Sequence, residues 1–128
     1  MPDATFTFAS SADALTITAY RWETAAPKAV VVISHGAAEH ALRYERFARA
    51  LNAAGYAVWA PDHRAHGASP GPEGLGDFGA GGWDALVSDI YPLVGLAKAA
   101  HPGLSALLFG PSMGAAAAQQ FAPEGSRD

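Results

Sequence analysis

At 128 residues, 50% of them hydrophobic, the chain is long enough to bury one core and too short for two ordinary domains. A formal charge of -4 without any run of like charge supplies no broad basic surface for nucleic acid or anionic lipid. The absence of cysteine excludes disulfides, a thiol nucleophile and thiolate metal ligation.

Residues 1–128 are therefore expected to form a single domain. The amino terminus lacks the basic and apolar segments of a signal peptide, and no window approaches the ~20 apolar residues of a transmembrane segment, so a cytoplasmic location is the expectation.

In chain order, Thr5 to Ala9 and Leu15 to Trp22 are short, rich in β-branched and aromatic residues, and separated by the polar Ser10-Ser11-Ala12-Asp13, which predicts an antiparallel hairpin. Ala29 to Ile33 is apolar without alternation, as in a parallel strand covered on both faces. From Leu42 to Ala54 the apolar Tyr44, Phe47, Leu51 and Ala54 recur at helical spacing, with Gly55 placed to cap the helix. Tyr56 to Ala60 reads as a second buried strand, stopped by Pro61. The glycine-rich stretch from Gly67 to Gly82 must be loop.

Trp83 to Ala100 carries Leu86, Ile90, Val94 and Ala97 on one face and stops at His101-Pro102-Gly103. Pro92 inside it would cost ~3 kcal/mol in a regular helix, which predicts a bent or broken one. Ser105 to Phe109 is a third core strand, and Met113 to Phe121 is alanine-rich and helical. The alternation predicts an α/β fold, a β-hairpin followed by β-α-β-α-β-α with a parallel core sheet. If the second and third core strands flank the first on opposite sides, the strand order reverses there, and ligands bind at such a switch.

The strongest chemical signal is Gly110-Pro111-Ser112-Met113-Gly114, a G-x-S-x-G between an apolar strand and a helix-forming run. A nucleophile elbow needs small residues two before and two after the serine, because its tight turn brings the strand and helix backbones together; Gly110 and Gly114 meet that demand. A bare serine N-cap with glycine neighbours is the plainer alternative. Ser34-His35-Gly36-Ala37 follows the first core strand, where the second oxyanion donor of such a site is found. The backbone N–H groups of Ala37 and Met113 are the expected donors. His35 fits a structural histidine bonded to nearby backbone, and Gly36 completes the oxyanion loop. Asp62, His63 and His66 invite a metal reading, but no further ligand stands at helical spacing, and a hydrogen-bonded loop is the expectation. Glu39 and His40 read as solvated or capping residues that could instead touch polar groups of a substrate.

Together, Val31-Val32-Ile33-Ser34-His35-Gly36-Ala37-Ala38-Glu39-His40 with Arg43-Tyr44, Asp62-His63-Arg64-Ala65-His66-Gly67-Ala68-Ser69, and Gly110-Pro111-Ser112-Met113-Gly114 resemble the monoacylglycerol lipase and lysophospholipase branch of the α/β-hydrolase superfamily, also described as serine-aminopeptidase-like. The resemblance covers most of Thr5 to Phe121 and implies the amino-terminal half of that fold. It further implies a Ser-Asp-His triad with Ser112 as catalytic nucleophile, a small acyl-ester substrate with one fatty chain, a mobile cap, and no metal or organic cofactor. Two positions depart from the pattern: Pro111 stands where the branch has histidine, and Ala65 where it has glycine.

In that fold the acid and the histidine follow the nucleophile. Here all five histidines precede Ser112, and only Glu124 and Asp128 follow as acids. A serine hydroxyl without a base is a weak nucleophile. The expectation is thus a truncated hydrolase, poorly active alone, with an apolar strand edge through which it could associate. The alternatives are a non-catalytic remnant that binds acyl ligands or a partner, and an enzyme of the same fold with peptidase, thioesterase or lactonase chemistry.

Overall fold

The structure, a computed structural model, describes residues 1–35, 40–64, 66–69, 85 and 87–110. Strands β1 (Ala4–Ala9) and β2 (Thr16–Trp22) form the hairpin, with Thr7 opposite Thr18. The turn between them closes through the Ser10 N–H to the Leu15 carbonyl at 2.8 Å. Next come β3 (Ala29–Ile33), a 3-10 turn (Ala41–Tyr44), helix α1 (Glu45–Ala53), β4 (Tyr56–Pro61), helix α2 (Ile90–Ala100) and β5 (Ala106–Phe109). The strands lie in the order β1-β2-β4-β3-β5. β2 and β4 are antiparallel, whereas β3 runs parallel to both β4 and β5. Strand order therefore reverses at β3, as the placement of the two later core strands requires.

Successive side chains of a strand point to opposite faces, so β2, β3 and β4 each serve two cores. Ala19, Val30, Val32, Ala57 and Trp59 pack with Ile90, Leu93, Val94 and Ala97 of α2 on one face. Tyr20, Trp22, Val31, Ile33, Val58 and Ala60 pack with Ala41 and Ala48 on the other. All of β3 is buried, which is why its sequence lacks alternation.

Three details differ from the pattern read in the sequence. The face of α1 that meets the sheet runs through Tyr44, Ala48 and Leu51, while Phe47 and Ala54 are exposed. Alanine wins the contact because a small side chain lets the helix approach the sheet closely. Pro61 ends β4 from within, opposite Ala19 and beyond the last pair with β3; the Asp62 N–H then takes up the bonding, to Thr18. The third concerns Pro92. Asp89 interrupts the helical stretch and α2 begins at Ile90, so Pro92 lies in a first turn whose N–H groups have no partner within the helix. The helix is broken, as expected, and the break relieves the proline.

Gly55 follows α1 with a φ of +98, the left-handed conformation of a helix C-cap. Among the described residues no helix is long and apolar enough to cross a membrane.

Candidate active site

Because β3, β4 and β5 are parallel, their carboxyl ends share one edge of the sheet. Ser34-His35 leaves β3, Asp62-His63-Arg64 leaves β4, and Gly110 leaves β5. The Ser34 N–H donates to the Phe109 carbonyl at 2.8 Å, so the exit of β3 is bonded to the last residue of β5. Of the residues expected to form the site, His35 and Gly110 are thus brought to one edge. Gly36, Ala37, Ser112, Met113 and Gly114 lie outside the described residues.

His35 is fully buried, and its Nε2 accepts the backbone N–H of His63 at 2.9 Å. An accepting Nε2 puts the proton of a neutral imidazole on Nδ1. Ser34 Oγ lies 2.7 Å from His63 Nε2, and the His35 ring packs 4.6 Å from that of His63 and 5.2 Å from that of His66. Burial, and then the neighbouring His35 and His66, push the His63 imidazole well below the ordinary histidine range, so it is neutral.

Asp62 ties the same loops from its other side. Its Oδ2 accepts the Tyr20 hydroxyl and the Ala68 N–H, both at 2.9 Å, and its Oδ1 accepts the Ala41 N–H at 2.7 Å. Burial and the adjacent carboxylate raise the Tyr20 phenol, which stays the donor. The turn that wraps Asp62 needs Gly67: its φ is +52, and a Cβ there would come within 2.6 Å of the Asp62 carboxylate. Both oxygens of Asp62 are committed and His63 Nε2 lies at Ser34; among the described residues no set of three potential ligands converges.

Arg64 is the third buried polar residue in succession after β4. Its Nε and Nη2 donate to Asp89 at 2.7 and 3.2 Å, Nη1 and Nη2 to Asp13 at 2.9 Å each, and Nη2 also to Ser10 Oγ at 3.0 Å. One guanidinium thereby joins the β1–β2 turn, the exit of β4 and the start of α2. Its hydrogen bonds hold Asp13 down at about 2. Nothing local in the sequence announces this contact, whose partners stand 51 and 25 positions away. Tyr20 was likewise unremarkable as a residue in a strand.

Residues 25–128 match the family described as "Serine aminopeptidase, S33". The chain belongs to that family of α/β-hydrolases. It is 45% identical to a monoacylglycerol lipase of Mycolicibacterium smegmatis over 69% of this chain and 30% of that protein. It is 40% identical to a human monoglyceride lipase over 79% of this chain and 32% of that protein. Among solved structures, a thermostable carboxyl esterase from Bacillus coagulans superimposes with a TM-score of 0.88 at 29% identity, covering 95% of this chain and 40% of that one. The chain spans about a third of the length of these lipases. Its hairpin and parallel core agree with the amino-terminal half of the α/β-hydrolase fold.

Proposed function

We propose that residues 1–128 are the nucleophile-bearing part of one α/β-hydrolase domain, a serine hydrolase of carboxylic esters of the monoacylglycerol or lysophospholipid type. The observation that carries this reading is the bond from Ser34 to Phe109, since Ser34 opens Ser34-His35-Gly36-Ala37 and Phe109 immediately precedes Gly110-Pro111-Ser112-Met113-Gly114 in sequence. Similarity to two monoglyceride lipases supports the substrate class.

In this mechanism Ser112 Oγ attacks the ester carbonyl and gives its proton to a base. The N–H groups of Ala37 and Met113 take the charge that develops on the carbonyl oxygen, each worth about 3 kcal/mol in sites of this kind. Collapse of the tetrahedral intermediate breaks the bond to the alcohol, which leaves with the proton. Water then releases the fatty acid from Ser112. No step calls for a metal or organic cofactor.

Labelling with a fluorophosphonate, read by mass spectrometry, tests the proposal. A slowly forming adduct on Ser112 that is lost in Ser112→Ala is the expected result. No adduct, together with no hydrolysis of any monoacyl ester, would leave a non-catalytic acyl-binding or partner-binding chain as the better reading. A preference for thioesters or peptides over monoacylglycerols would keep the nucleophile and overturn the substrate.

A further inference from the structure

The segment that leaves β3 is held at both of its described ends by two consecutive residues at the exit of β4. At the near end, Ser34 Oγ is 2.7 Å from His63 Nε2, and the His63 N–H donates to His35 Nε2 at 2.9 Å. At the far end, Asp62 Oδ1 accepts the Ala41 N–H at 2.7 Å. We propose that Asp62-His63 is a latch that holds Ser34-His35 and Ala41 in place, and that the latch opens when the His63 imidazole takes up a proton. Its bearing on catalysis rests on the reading of Ala37 as an oxyanion donor; the latch itself does not.

His63 is 1% exposed, and among the described residues no carboxylate is bonded to its ring. His35 faces it from the end of β3, and His66 stands beyond His35 in the turn after β4. Of the groups that flank it in sequence, Arg64 is itself a cation bound to Asp13 and Asp89. Asp62 already accepts from Ala41, Ala68 and, across the sheet, the Tyr20 hydroxyl of β2. A proton on His63 would therefore create a buried cation beside two imidazoles, and the carboxylate of Asp62, next to it in sequence, is already committed.

The sign follows from linkage. The latched imidazole is held neutral, while an opened one titrates near the ordinary 6.5, so opening takes up a proton below that pH. The latch is at full strength above about pH 6.5, and its opening equilibrium rises by up to about tenfold for each pH unit below.

Amide hydrogen exchange between pH 7 and 5, corrected for the intrinsic rate, tests the latch on the chain itself. The Ala41 and His63 amides should lose protection with that slope while the ladder amides of β3 and β4 keep theirs, as in local opening. His63→Gln keeps a polar group for Ser34 Oγ and does not titrate, so Ala41 protection in that variant should be independent of pH. Flat protection in the native chain, an unchanged slope in His63→Gln, or a parallel loss in the β3 and β4 ladders would each overturn the proposal. Should His63→Gln fail to fold, an NMR titration of the native imidazole replaces it: protonation of His63 must coincide with the exchange step, and a mismatch sinks the latch. The same pH series of Ser112 labelling should fall in step with the exchange. A chain that shows the exchange step and never labels defeats the ester-hydrolase reading and leaves the latch standing; one that labels without an exchange step defeats only the latch.

Discussion

β4 and β5 flank β3 as parallel neighbours, yet they end in opposite surroundings. Past β4, Asp62, His63 and Arg64 are all buried, and their bonds reach β2, β3, the hairpin turn and α2. On β5, Leu107 and Phe109 remain 48% and 41% exposed, facing Phe47 across an apolar groove of ≈ 330 Å³ that Val31 and Leu51 also line. Among the described residues no strand pairs with the outer side of β5. One flank is held by buried side-chain hydrogen bonds and ion pairs; the other leans on its backbone pairing with β3 and on its own Ala106 and Leu108, which pack against the core under α2.

This contrast is tested most severely at Arg64. Replacing it with alanine leaves Asp89 buried without its partner, a change expected to cost about 3–5 kcal/mol in urea unfolding. If Arg64→Ala unfolds at nearly the native midpoint, the β4 flank is not where stability resides. Gly67→Ala comes next, at about 2–3 kcal/mol, because it combines a left-handed φ with a Cβ forced against the Asp62 carboxylate. Acid is a gentler probe of the same flank. Since the native His63 stays neutral, stability is fully present above about pH 6.5 and should fall by up to about 1.4 kcal/mol per pH unit below it, a slope that His63→Gln should abolish. The smallest effect belongs to the other flank. Leu107→Ser, at a half-exposed position, should cost no more than about 1 kcal/mol, and a loss as large as that of Arg64→Ala would erase the contrast.

The same division explains what could be read from the sequence. Strands β3 and β4 announce themselves because burial on both faces demands unbroken apolar runs, and the break before Pro92 follows from its missing N–H. The buried face of α1 was harder to read, since Ala48 carries less apolar surface than Phe47 and still wins the contact. His35 as a backbone-bonding residue was legible from its place after β3. The Asp13–Arg64–Asp89 cluster was not, because ion pairs across 51 and 25 positions leave no local periodicity. Ser112, Met113 and Ala37 are legible as a motif, and their roles remain for the labelling experiment to decide.

The Arg64 cluster also bears on how the chain comes together in time. A contact that closes loops of this length pays its ordering entropy before it returns anything, so it belongs to the late side of the folding barrier. Interactions absent from the transition state set the rate of escape from the native state and leave the rate of arrival alone. Loss of the Arg64 guanidinium should therefore speed unfolding while refolding keeps its pace, which makes this one side chain a brake on unfolding that lengthens the lifetime of the folded protein.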